Sequence, residues 1–349
     1  METYQPTRVL DAHNIAEIKD ELKSQGIALV RIYEPGDPIL VSYQHNMDSV
    51  MKQVRPDGGT AHGSKGMGGI TKRYGGACTP EIWQIRLDSE VKKVYSDVYN
   101  LTGDDLFVGC DSYAALADDA LRNPRKKEKN AEDRYFNLTG GSLKPHIDVH
   151  PTNMTTPGNK ALAKLKTITP DFPVSLQGQL VLRPVPKGGA TFVVAPGQHT
   201  KIDAAHFNDD AKGDFATCTP AGYEHFEPLW RAVDNLDAGI LILWDSRLPH
   251  GNKLADHGVD PQRRGLFICW QPAALFEDVE DRSSLKKRKW RAITGGGTTD
   301  HWAAYVPGGD RGHRGGHYSN KHKRSKVIHS DENPVEFGPE MAQKIYDAL

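Results

Sequence analysis

The sequence predicts a mainly β protein, a jelly-roll core with flanking helices, and three observations carry that prediction. Short apolar segments recur at 174–185, 188–199, 239–250 and 263–272, each bounded by Gly, Pro or Asp. No strong amphipathic helix separates them, as one would in a parallel α/β sheet. Helical periodicity concentrates before residue 105 instead. A helical or mixed region at 1–105 therefore precedes a core at 106–275 and a basic, partly flexible extension at 276–349.

The elements follow in chain order. "DAHNIAEIKDELKSQ" (11–25) sets Ile15, Ile18 and Leu22 at helical spacing, with Asn14 and Glu17 in capping-box register and Gly26 where the helix would stop. "IALVRIY" reads as a strand and "ILVSYQHNMDSVMKQV" as a second helix. Residues 57–76, "DGGTAHGSKGMGGITKRYGG", form a long glycine-rich mobile loop. They lack the GxxxxGK[ST] order of a phosphate cradle and read as a lid or a surface loop. "SEVKKVYSDVYNL" is a third helix and "DLFVGCDSYAAL" a strand. The run 118–134, "DDALRNPRKKEKNAEDR", is a solvated excursion before a strand at 142–150.

Lys and Arg number 44 against 45 Asp and Glu, a net charge of −1, so a nucleic acid or an anionic membrane would need a local patch. Two basic clusters qualify, "KKRKWR" (286–291) and "GHRGGHYSNKHKRSK" (312–326). Only Trp290 and Tyr318 offer bases a stacking surface there, which favours a solvated tail over nucleic-acid docking. No stretch reaches the roughly 18–20 apolar residues of a membrane span, and the first residues lack the basic-then-apolar layout of a secretory signal. The expected location is cytoplasmic. Cys78, Cys110, Cys218 and Cys269 are scattered with no CxxC pair and read as reduced packing residues. Oligomeric state is open.

The chemistry concentrates in "SLKPHIDVHP" (142–151). Strand alternation puts Leu143, Pro145, Ile147 and Val149 on one face and Lys144, His146, Asp148 and His150 on the other. An imidazole and a carboxylate side by side suit a divalent metal, and a distant histidine would complete a two-His, one-carboxylate set. His250, ending the run "GILILWDSRLPH", is the candidate. Thirteen and fourteen residues later Arg263 and Arg264 open "RRGLFICW". A guanidinium grips a carboxylate bidentately, and alternation lets only one of the two face inward.

These residues in this order, HxD, "GGATFVVAPGQH", "LWDSRLPHGN" and Arg263 followed seven positions on by Trp270, resemble the phytanoyl-CoA dioxygenase-like branch of the Fe(II)/2-oxoglutarate-dependent oxygenases over about residues 140–275. "EIWQIR", "DDLFVGCDSY" and "TTDHW" (298–302) add looser similarity. The resemblance implies a double-stranded β-helix, cupin-like core, with Fe(II) held by His146, Asp148 and His250. It implies 2-oxoglutarate held through Arg263 or Arg264, O2 as co-reactant, and hydroxylation of a small-molecule substrate with release of succinate and CO2. The carboxylate at Asp148 favours hydroxylation over halogenation, which needs that position vacant. The chain departs from the family in the long "HPTNMTTPGNKALAKLKTITPDFP" between the HxD and Gln177 and in a slightly long gap from His250 to the arginine.

Several residues keep two readings. Gln177 or Gln179 could bond the cosubstrate or be a satisfied core amide. His150 could support the metal site or lie in solvent. Asp245 and Arg247 suggest an internal bridge beside Trp244, and His199 a turn anchor. Lys144, Lys72 and Arg73 could meet an anionic substrate or water. Two rival functions also stand: a catalytically silent cupin-like binding module, and an oxygenase acting on nucleic acid through the basic tail.

Overall fold

Two β-sheets form the centre of the computed structural model, which describes residues 1–4, 8–72, 74–209, 214–276, 282–298, 326, 328, 329 and 333–349. In hydrogen-bonded order the larger sheet comprises Leu10–Asp11, Ile27–Arg31, Ile240–Asp245, Leu176–Val181, Arg263–Ile268, Tyr113–Leu116 and Ile70–Thr71. The smaller comprises Glu2–Thr3, Arg231–Ala232, Thr191–Val194, His250–Lys253, His146–Ile147 and Ala216–Thr217. Both are antiparallel except at one edge, where Leu10–Asp11 runs parallel to Ile27–Arg31 and Glu2–Thr3 to Arg231–Ala232.

Alternation explains why the central strands read as unbroken apolar runs. In Ile240–Asp245, Ile242 and Trp244 face the smaller sheet and pack with Phe192 and Val194, the Phe192 and Trp244 rings lying 4.6 Å apart. Leu241 and Leu243 face the other way, onto a layer that includes Ile18 and Leu22 of the helix Ile15–Gln25 and Leu40 and Met47 of Pro38–Val54. A strand covered on both faces has no need of polar residues. The result is a sheet core with flanking helices.

The three expected N-terminal helices form where spacing places them, at Ile15–Gln25, Pro38–Val54 and Ser89–Tyr99, and a fourth, Pro80–Arg86, lies between the last two. Gly26 ends the first in the left-handed region, at φ 75°. A Cβ there would lie 2.5 Å from His199 Nδ1, so the glycine also lets the helix end close on the turn that carries His199. Asn14 makes no side-chain cap, because its ψ of 65° lies outside the extended backbone that capping requires.

Other expectations are corrected. The 57–76 segment is anchored rather than a long free loop: Ile70–Thr71 joins the larger sheet, and Gly69 O accepts from Ala115 N at 2.9 Å. Of 142–150 only His146–Ile147 is strand. "DLFVGCDSYAAL" divides into Leu106–Val108 and Tyr113–Leu116, which belong to different sheets. The excursion at 118–134 ends in a helix, Ala131–Thr139, capped by Asn130, and the connection after the HxD contains another, Pro157–Ile168, capped by Thr156. "KKRKWR" lies within the helix Arg282–Thr294, whose Leu285 and Ile293 join the main core, so it is no solvated tail. Arg73, Tyr318, most of "TTDHW" and all of 312–326 except Lys326 lie outside the described residues. The four cysteines are reduced and buried. No helix among the described residues is long and apolar enough to cross a membrane.

Candidate metal centre

His250 reaches the site by a route other than the one its sequence suggests. The run "GILILWDSRLPH" is not one strand: Ile240–Asp245 ends in the larger sheet, and the turn 246–249 carries the chain across to the smaller sheet, where His250 is the first strand residue. Asp245, fully buried, builds that turn. Its carboxylate accepts from the Arg247 amide at 2.8 Å and pairs with the Arg247 guanidinium at 2.6 Å, the internal bridge expected, and Leu248 N closes onto Asp245 O at 2.8 Å. Leu248 O then accepts from His250 Nδ1 at 2.8 Å.

In the smaller sheet His250 stands directly opposite His146. His146 Nδ1 is fixed the same way, on Lys144 O at 2.8 Å. A carbonyl oxygen can only accept, so both Nδ1 atoms carry the proton and both Nε2 lone pairs are directed at Asp148. His250 Nε2 lies 3.3 Å and His146 Nε2 3.9 Å from the Asp148 carboxylate. One ligand atom from each of the three residues falls within 4.8 Å of the others, and all three side chains are buried. Two neutral imidazole nitrogens and a carboxylate oxygen converging on one point fit a divalent metal with open coordination positions.

Asp148 is itself held. Gln177 Nε2 donates to its Oδ2 at 2.9 Å and to Ser246 Oγ at 3.2 Å, while the Asp148 amide donates to Ser246 O at 3.0 Å. Gln177 is thus a satisfied amide whose partner is the Asp148 carboxylate. His150, though buried, is not part of the cluster. Its Nδ1 accepts from Asn153 N at 2.9 Å and organises the following turn.

The two arginines separate as alternation requires. Arg263 is 2% exposed, and its guanidinium donates to Gly68 O and Asn252 Oδ1 at 2.6 Å each and to Gln179 Oε1 at 3.0 Å. Burial pushes it down to about 9, and no carboxylate among the described residues pairs with it. Arg264 points to the other face, where it pairs with Asp48 at 2.8 Å, and it is not brought to the site. Lys144 pairs with Glu132 at 2.9 Å.

A cavity of about 260 Å³ opens onto His146, Asp148 and His250. Phe192, Trp244 and Phe267 form its apolar wall, and Met67, Ile70 and Lys72 of the anchored glycine-rich segment close one side. Phe215 stands at the mouth, 45% exposed, its ring 4.4 Å from that of His146. Asn252, Ser246, Asp111 and Ser112 also belong to the site or its supports, and sequence reading passed over them. Asn252 had a signal, two residues beyond His250 on the same strand face. The others depend on which turns meet in space.

No family model matches the chain, and no curated protein matches it. Solved structures do. A hypothetical protein, JW0805, from Escherichia coli aligns over 97% of this chain and 85% of its own at 14% identity and a TM-score of 0.53. GlcNAc Inducible Gene 2 (DUF1479) from Candida albicans aligns over 83% and 71% at 12% identity and a TM-score of 0.51. At these identities the likeness is one of fold.

Proposed function

We propose that the chain is an Fe(II)- and 2-oxoglutarate-dependent oxygenase built on a double-stranded β-helix, hydroxylating a small-molecule substrate. One observation carries the reading. Asn252, which lines the cavity with His146, Asp148 and His250, accepts from Arg263 behind it, a buried guanidinium that pairs with no carboxylate among the described residues. An uncompensated buried cation is costly, and a ligand carboxylate would satisfy it.

The spacing agrees. Gln177 and Gln179 lie two residues apart on one face of one strand, about 7 Å along it, and Gln177 holds Asp148 while Gln179 holds Arg263. That separation is on the scale of a five-carbon diacid. In this reading His146, Asp148 and His250 hold the metal, Gln177 and Ser246 fix the direction of Asp148, and Gln179, Asn252 and Gly68 O aim Arg263 at the far carboxylate of 2-oxoglutarate. Bound iron(II) supplies the oxidative decarboxylation of 2-oxoglutarate to succinate and CO2, coupled to oxidation of the substrate. Phe192, Trp244 and Phe267 keep water from the reacting centre. Asp148, as a carboxylate, occupies the position that halide would need. A silent binding module would have no use for Arg263.

The test is anaerobic loading with Fe(II) and 2-oxoglutarate, admission of O2, and measurement of succinate. Succinate formation by the unmodified chain, lost in Asp148→Ala and in Arg263→Leu, is the expected result. No succinate from the loaded chain, with or without a metabolite library, contradicts the assignment.

A further inference from the structure

The cavity has a second charged wall that the metal and the cosubstrate leave unused. Asp111 lines it while only 6% exposed. Its Oδ1 accepts from both the amide and the hydroxyl of Ser112. The nearby Arg86 guanidinium donates to the Asp111 main-chain oxygen at 2.8 Å and not to the carboxylate. Among the described residues no cation pairs with Asp111, which lines the cavity. A carboxylate taken this far from water needs a positive partner.

Its position separates it from Arg263. Phe267 N donates to Ser112 O at 3.3 Å, beside Asp111, whereas Arg263 pairs in register with Leu116. Arg263 and Phe267 are four residues apart on the Arg263–Ile268 strand, about 13 Å. Asp111 thus lines the cavity itself, whereas Arg263 lies behind its Asn252 wall. In the oxygenase reading a dianionic cosubstrate is drawn toward Arg263 and repelled by Asp111, which leaves the Asp111 side, with Phe267 near it, for the second reactant.

We propose that the substrate is a small cationic amine whose ammonium group pairs with Asp111 and whose apolar body lies against the aromatic wall. Assigning that end to the substrate rests on the oxygenase reading. Lys72 also lines the cavity and sets a limit on the negative potential there. A preference for cations over neutral isosteres is the direct readout.

Calorimetric titration under anaerobic conditions tests it, with three probes of similar shape: 2-phenylethylammonium, neutral 2-phenylethanol and anionic 3-phenylpropanoate. 2-Oxoglutarate is first titrated into the Fe(II)-loaded chain. Absence of binding there is the failure of the oxygenase reading, and the probe series is read regardless. The ammonium should bind at least tenfold more tightly than the alcohol, with the anion weakest, and Asp111→Asn should reduce the preference below threefold. Equal binding of ammonium and alcohol, no binding of the ammonium, tighter binding of the anion, or a preference that survives in Asp111→Asn overturns the proposal. Should Asp111→Asn fail to fold, the three probes on the unmodified chain decide, because a cavity indifferent to charge is already a contradiction.

Discussion

Gln177 and Gln179 look alike in the sequence, two amides in an apolar strand, yet each secures a different functional group. Gln177 fixes the Asp148 carboxylate and Gln179 the buried Arg263. Supports of this kind commonly tune metal affinity by about 10–100-fold, so Gln177→Leu should weaken Fe(II) binding by that factor in equilibrium dialysis while the fold is kept. Unchanged affinity would remove Gln177 from the site. Arg263→Leu should raise the 2-oxoglutarate dissociation constant by roughly 100-fold, as loss of a buried charge partner does. Arg264→Leu, on the opposite face, should leave it within about threefold. Equal effects of the two would contradict the separation of their side chains. The opposite facing of the two arginines was legible because alternation along a strand is a local rule, whereas Asp148 lies past the two-residue strand His146–Ile147 and is set by Ser246 and Gln177. The tasks of Gln179 and Asn252 were not legible, since they depend on which strands become neighbours.

Among the elements, the turn 246–249 and the helix Arg282–Thr294 make the sharpest predictions. Asp245 holds the turn by several hydrogen bonds from a fully buried position. Asp245→Ala should cost roughly 2–4 kcal/mol of stability and lower metal affinity as well, because His250 is aimed by that turn. A loss of stability with metal affinity intact would show that the turn does not orient the ligand. Within the helix, burial pushes Lys289 down to about 7, with its Nζ on Val108 O at 3.0 Å. The unfolded chain returns it to an ordinary value near 10.4. Between those values the unfolded state binds more protons, so this group's contribution rises with pH and its penalty is complete only below about 7. Lys289→Met should therefore gain more stability at pH 7 than at pH 9, by on the order of 2 kcal/mol. The same gain at both values, read by denaturant unfolding, would contradict it. Periodicity marked three of the four N-terminal helices and not the short Pro80–Arg86. It could not mark the break after Asp245, because an apolar run carries no sign of which sheet it belongs to.

At the scale of the molecule, the two sheets explain why residues more than a hundred positions apart meet. His146 and His250 are cross-strand partners in the smaller sheet, Gln177 and Arg263 come from the larger, and the cavity is lined by residues of both sheets. The β-rich core with flanking helices was readable from short apolar segments and their punctuation. The helix Pro157–Ile168 and the anchoring of 57–76 were hidden by small and polar residues that order only against the rest of the fold. In the proposed function His146, Asp148 and His250 act together as the metal ligands, and the measurement closest to that claim is the stoichiometry of anaerobic Fe(II) binding. One equivalent per chain, lost in each of His146→Ala, Asp148→Ala and His250→Ala with thermal unfolding little changed, is the predicted result. No binding by the unmodified chain, or one equivalent retained by any of the three folded variants, would contradict it.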